Sequence, residues 1–104
     1  MLYQTSEKYF DEILQESKLH PVLVDFYASW CAPCRVLAPE LDSLSDNYEN
    51  LFSAYSVNID TEPLLAERYQ IQNLPTVIIF KNAEIFYKLE SDVSTEKIKK
   101  ILLS

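Results

Sequence analysis

The sequence predicts an α/β domain with a central mixed β-sheet flanked by helices on both faces. Short apolar runs at residues 22–27, 52–59 and 76–80 alternate with stretches of helical periodicity, the pattern of a parallel β-α-β unit. The third run is followed at once by a two-residue turn and another extended stretch, residues 84–89, which adds an antiparallel hairpin to one side. At 104 residues and 48% hydrophobic content, the chain suits one domain, residues 1–104, with one core.

Each element has its own warrant. Phe10, Ile13 and Leu14 recur at helical spacing within residues 6–17, with Thr5 or Ser6 as the cap. Pro21 opens the run Val22 to Tyr27, whose two faces are both apolar, as in a strand buried on both sides. Leu37, Leu41, Leu44 and Tyr48 then form one helical stripe, read as core, and Pro39 inside it is expected to kink the helix. Residues 52–59 read as a second buried strand, and residues 62–69 as a short helix with Pro63 in its first turn. Residues 76–80, Thr-Val-Ile-Ile-Phe, form the third strand, and Asn82-Ala83 turns into the fourth. Ala83 is a poor fit where such a turn favours glycine, at a cost of about 1 kcal/mol. The last helix starts near Ser94 and buries Ile98, Ile101 and Leu102; Glu96 early and Lys97, Lys99 and Lys100 later suit the helix dipole. The chain has no glycine, so turns with positive φ must use Asn or accept strain.

Composition narrows the function. The net charge of −7 argues against nucleic acid or an anionic membrane as partner and is consistent with simple solubility. No apolar run approaches a membrane span. With Met1 taken as the natural start, residues 1–8 lack the pattern of a secretory signal, and the expected compartment is the cytoplasm. Two cysteines are too few for a secreted disulfide framework, and a reducing compartment disfavours a purely structural disulfide.

Those cysteines, Cys31 and Cys34, are two residues apart, and Trp30 precedes the first. They fall where a strand ends and a helix begins. Unpaired N–H groups and the positive end of the helix dipole there stabilise a thiolate, the reactive form of cysteine. Cys31, nearer the end, is expected to be the more exposed; Cys34, one turn on, faces inward. A structural zinc site needs four ligands, and the rest of the chain offers only His20 and carboxylates. An iron–sulfur cluster bridging two chains would take two thiolates from each. The strand-then-helix setting favours a redox dithiol over both. Asp25 interrupts its apolar strand on the face of Leu23 and Tyr27, and from position alone is either an acid–base group or an ordinary strand-end carboxylate. Trp30 is expected half-exposed, shielding the thiol and offering a flat contact surface. His20 reads as a solvated loop residue without a role.

The stretch Val22-Leu-Val-Asp-Phe-Tyr-Ala-Ser-Trp-Cys-Ala-Pro-Cys-Arg-Val-Leu-Ala-Pro-Glu-Leu41 resembles the active-site segment of the thioredoxin family, with Ala32 for the usual glycine and Arg35 for the usual lysine. Residues 57–85, with Asn58-Ile59-Asp60, Tyr69-Gln70-Ile71, Pro75-Thr76 and Lys81-Asn82-Ala83-Glu84, resemble its second half. The resemblance runs from about Leu2 to Leu103. It implies a thioredoxin fold and a general protein-disulfide reductase, itself reduced by a flavin-dependent thioredoxin reductase using NADPH. Tyr27 replaces a common tryptophan, Ala83 and Ser91 replace usual glycines, and Ser56 takes the place of a lysine that often lies near the buried aspartate.

The resemblance further implies Cys31 as nucleophile, Cys34 as resolving thiol and Asp25 as proton-transfer group, with oxidised target proteins as partners. It implies a cis Leu74-Pro75 bond facing the cysteines, and a substrate surface of Trp30, Ala32, Pro33, Leu74, Pro75 and Ser91. No metal or organic cofactor is needed beyond the Cys31–Cys34 redox pair, and a monomer is expected. Ala32 and Pro33 bring no donor or charge and Arg35 is expected to face solvent, so a reductant is expected rather than an oxidant. The rival is a binding module on the same fold, in which the dithiol matters little.

Overall fold

A computed structural model describes residues 1–103 in the order β1 (Leu2–Gln4), α1 (Glu7–Glu16), β2 (Val22–Tyr27), α2 (Ala32–Asn47), β3 (Ser53–Asn58), α3 (Pro63–Arg68), β4 (Thr76–Lys81), β5 (Glu84–Glu90) and α4 (Thr95–Leu103). The strands form one sheet in the order β1-β3-β2-β4-β5. β1 and β2 run parallel to β3, while β4 is antiparallel to both β2 and β5. This is the mixed sheet that the strand–helix alternation and the hairpin imply.

Strand alternation sends side chains to two separate core layers. Val22, Val24 and Phe26 pack with Phe10, Ile13 and Leu14 of α1 and Leu65 of α3 on one face. Leu23 packs with Leu37, Leu41 and Leu44 of α2 and Ile98 of α4 on the other. Residues 22–26 are all buried because β2 is central and covered on both sides. Truncating Phe26 to alanine would cost about 3–5 kcal/mol, from lost burial and the cavity left behind.

Several expectations need correction. β1 lies outside the predicted order: three residues cannot display a period, and Tyr3 and Gln4 are exposed. Its backbone nevertheless pairs with β3. Ser6 is the N-cap of α1 but makes no side-chain capping bond. In α4, Ile98 is buried while Ile101 and Leu102 are only half-buried. Ser94 Oγ accepts from the N–H of Lys97 at 3.2 Å and so caps that helix. Pro39 sits inside α2, where it lacks the N–H that would bond the Arg35 carbonyl.

The missing glycines have identifiable stand-ins. Gln70, Asn82, Ala83 and Ser91 have φ of 52°, 56°, 64° and 60°. Both turn residues of the β4–β5 hairpin are thus left-handed, as a two-residue turn requires. The turn is pinned to the end of α1: Asn82 N–H donates to the Ser17 carbonyl at 2.9 Å, and Ala83 N–H to Ser17 Oγ at 2.8 Å. Those bonds help offset the left-handed penalty at Ala83. Among the described residues, no helix is long and apolar enough to cross a membrane.

Candidate active site

The site forms where β2 ends and α2 begins. Cys31 is the N-cap of α2, with extended backbone at φ −90° and ψ 109°, and Pro33 occupies the first turn, where its missing N–H is not needed. The sulfur of Cys31 accepts from the backbone N–H of Cys34 at 3.3 Å. A helix start here therefore aims a free N–H at the first sulfur, the arrangement that stabilises negative charge on it. Cys31 and Cys34 are joined as a disulfide, with Cα atoms 5.3 Å apart.

Cys31 is more covered than expected, while Cys34 faces inward as expected. Cys31 is 5% exposed and Cys34 1%, so their expected order holds by a small margin. Ala28, Tyr27, Ile59 and Leu74 pack around them. Trp30 departs from its expected place: it is 68% exposed, and its indole Nε1 donates to Asp60 at 3.0 Å. It stands beside the disulfide as a groove wall. Arg35 is exposed as expected, yet its guanidinium donates to the Ser29 carbonyl at 2.8 Å.

Two grooves flank Pro33. One, of about 450 Å³, is lined by Trp30, Cys31, Ala32, Pro33, Ile59, Gln72, Asn73 and Leu74. The other, of about 330 Å³, runs past Pro33, Val36, Leu37, Pro75, Ser91 and Val93. All six residues expected to meet substrate therefore border one groove or the other. The Leu74-Pro75 bond is cis, and Ser91 N–H donates to the Pro75 carbonyl at 2.9 Å. Ile59, Gln72, Asn73, Val36 and Val93 also line the grooves and were missed. Val36 carried a signal: it is apolar but lies off the Leu37–Leu41–Leu44 stripe, and it is 64% exposed. The others become neighbours of the cysteines only through the fold.

Asp25 is 1% exposed, and neither carboxylate oxygen has a hydrogen-bond partner in the chain. Burial raises its pKa to about 7, because removing water penalises the charged form. It shares the sheet face of Leu23, the face covered by α2. Its register partners are Ser56 on β3 and Val77 on β4. Ser56 therefore does stand beside Asp25, but it gives no hydrogen bond and brings no charge to offset burial.

His20 is not the free loop residue expected. Its Nε2 lies 2.7 Å from Glu16 Oε2 and 2.8 Å from Ser53 Oγ, while Tyr55 donates to Glu16 Oε1 at 2.5 Å. Ser53 Oγ also donates to Glu16. The cluster ties the end of α1 to the start of β3. Among the described residues, no group of three or more His, Cys, Asp or Glu is arranged to hold a metal ion.

Comparison with known proteins places this architecture. The sequence model of the family described as Thioredoxin matches residues 1–104. A protein named Thioredoxin from Rickettsia bellii is 42% identical over 84 residues, covering 81% of this chain and 79% of its own. Another of that name, from Buchnera aphidicola, is 35% identical over 101 residues, covering 97% of this chain and 92% of its own. Thioredoxin Y2, chloroplastic, from Arabidopsis thaliana is 37% identical over 89 residues, 86% of this chain but 53% of the plant protein, so the chain spans about half that relative's length. A buried disulfide at a helix start, a cis proline across from it and a match along the whole sequence agree: this chain belongs to the thioredoxin family of thiol–disulfide oxidoreductases.

Proposed function

We propose that the protein is a protein-disulfide reductase that delivers electrons to oxidised protein targets, in the cytoplasm in the first instance. One observation carries this reading above a mere binding module: Asp25 is buried without a partner on the sheet face beneath α2, the helix that bears the disulfide. An unpaired buried carboxylate is costly and contributes nothing to a docking surface, whereas a proton acceptor that titrates near neutrality suits thiol exchange.

In the proposed cycle the Cys31 thiolate attacks one sulfur of a target disulfide. A Cys31–target bond forms, and the other target sulfur leaves as a thiolate and takes up a proton. Asp25 accepts the proton of Cys34, whose thiolate attacks Cys31; the intramolecular disulfide forms and the second target thiol departs. The target gains two electrons and the dithiol loses two. A thioredoxin reductase drawing on NADPH through flavin restores the dithiol, and the chain itself requires no metal or organic cofactor. Trp30, Ala32, Pro33, Leu74, Pro75 and Ser91 form the target-contact surface. A target in extended form can add along Leu74 as a strand. The span of the family match supports reading residues 1–104 as one domain, and the proposal takes that domain to act as a monomer.

Reduction of insulin with dithiothreitol as electron source tests the proposal. Wild type accelerates precipitation of the insulin chains and Cys31→Ser does not. Equal rates for the two forms would exclude the reductase reading and leave the binding module.

A further inference from the structure

The segment from the end of α3 to β4 carries Leu74 to the disulfide. Its ends are well held. Ile71 N–H donates to the Ala66 carbonyl at 2.9 Å, Thr76 Oγ1 to the Asn73 carbonyl at 2.5 Å, and Ser91 N–H to the Pro75 carbonyl at 2.9 Å. Its middle is not. Among the described residues, the backbone N–H groups of Gln72, Asn73 and Leu74 donate to nothing in the chain. Besides the Thr76 bond to the Asn73 carbonyl and the packing of Leu74 on the cysteines, side chains from β5 hold the middle. Asn73 Nδ2 donates to Glu90 Oε2 at 3.2 Å, Glu90 Oε1 lies 3.3 Å from Lys88 Nζ, and Lys88 Nζ donates to the Tyr69 carbonyl at 3.1 Å. Lys88 and Glu90 share one face of β5 because they are two residues apart, and they pair with Ile78 and Thr76 of β4.

We propose that Glu90 is a positioning residue: with Lys88 and Asn73 it forms a latch that fixes residues 72–74, so that Leu74 offers a set backbone edge to an incoming polypeptide target. The inference rests on the reading that a protein target occupies the groove lined by Cys31, Asn73 and Leu74. Glu90 lines neither groove beside the disulfide, and in this proposal its effect reaches the target only through the loop. Its carboxyl is held below the usual range by the Asn73 bond first and by Lys88 second, so the latch stays charged at neutral pH. The Asn73–Glu90 bond is exposed and the Lys88–Tyr69 bond part-buried, and each is individually weak. Ordering a short loop before binding nevertheless lowers the entropic cost of docking, which is felt in KM.

The test is a cycle of Glu90→Ala, Asn73→Ala and the double variant, with Glu90→Gln as the conservative control. Each single alanine variant raises KM for insulin about 2–5-fold with kcat unchanged, the span of a weak charged hydrogen bond. The double variant is no worse than either single one, since both break the same link. Glu90→Gln, which still accepts from Asn73, restores most of the loss. Backbone order parameters of residues 72–74 fall in Glu90→Ala and hold in Glu90→Gln. Unchanged order parameters overturn the latch, and this arm needs no activity. Lowered order with unchanged KM, or additive effects in the double variant, overturns its role in docking. An inactive wild type instead refutes the reductase reading, while the order parameters still decide the latch.

Discussion

Replacing Asp25 by asparagine should change how stability depends on pH, by an amount the structure allows to be worked out. Asp25 has a folded pKa of about 7 against an ordinary value of 3.8. A carboxyl whose pKa is raised by folding contributes fully below the unfolded pKa, and that contribution is lost as pH rises through the folded one. From those two values, ionisable Asp25 lowers stability progressively as pH rises from about 4, reaching roughly 4 kcal/mol at pH 7 and above, relative to a permanently neutral group. Against a total of about 5–15 kcal/mol for an ordinary domain, that is a large fraction. Asparagine removes the pH-dependent part. It also buries an amide whose own unmet hydrogen bonds cost about 1–3 kcal/mol at every pH, so the difference between two pH values is the diagnostic.

The assay is urea unfolding of both forms, disulfide intact, from pH 4 to pH 8. The gap between variant and wild type should move by about 4 kcal/mol in the variant's favour across that range. The variant should also slow Cys34's attack on a preformed mixed disulfide at neutral pH, by about 100-fold if the proton transfer has its usual worth. A gap that does not move with pH, together with an unchanged resolving rate, would show Asp25 to be an ordinary solvated carboxylate and refute the reasoning.

Other expectations can be checked independently. Cys34→Ser should trap target proteins as stable mixed disulfides in a pull-down while Cys31→Ser traps none; the reverse pattern would exchange the two roles. Equilibration in glutathione buffers should show the dithiol largely oxidised at potentials where a strong oxidant of this fold stays reduced, because no charged or donor side chain lies between Cys31 and Cys34. Ala83→Gly should raise the unfolding midpoint by relieving φ of 64°, a gain of about 0.5–1 kcal/mol after the extra freedom glycine gives the unfolded chain. Burial pushes the Glu16 carboxyl up, but bonds from Ser53, Tyr55 and His20 outweigh it and leave the pKa lowered. Stability from Glu16 is thus present above the unfolded pKa and lost as pH falls through the folded one. At pH 7, Glu16→Gln should cost about 1–2 kcal/mol without changing the rate of insulin reduction.

The parts of this molecule that could be read from sequence are those whose signals are local. The stripe Leu37–Leu41–Leu44 repeats over enough turns to declare a helix, and Val22 to Phe26 is apolar on both faces because it lies in the middle of the sheet. The cysteine pair could be placed because a helix start has its own electrostatics, whichever fold carries it. β1 could not, since its three residues owe their form to a neighbour far along the chain. The same applies to the site's margins. Asn73 and Glu90 are 17 positions apart, and Glu16 and Ser53 are 37 apart. Their types are unremarkable on exposed surfaces, and only the sheet brings them together. Trp30 is more exposed than its sequence setting suggests for a related reason: its indole donates to Asp60, 30 positions away.

The strand order also sets when the chain can commit to its fold during synthesis. β2 is made early and lies at the centre, with β3 on one edge and β4 on the other. Until β4 leaves the ribosome, half of β2's outward N–H and C=O groups have no partner, and an open apolar edge of this kind invites pairing with another chain. Ser17 waits longer still, because its hydroxyl accepts from Ala83, 66 positions on. A nascent chain ending at Leu74 should therefore stay protease-sensitive and chaperone-bound, although it already contains both cysteines and the whole β1-to-α3 half. Protection should appear only once the β4–β5 hairpin has emerged, and pulse proteolysis of stalled chains of increasing length would locate that step.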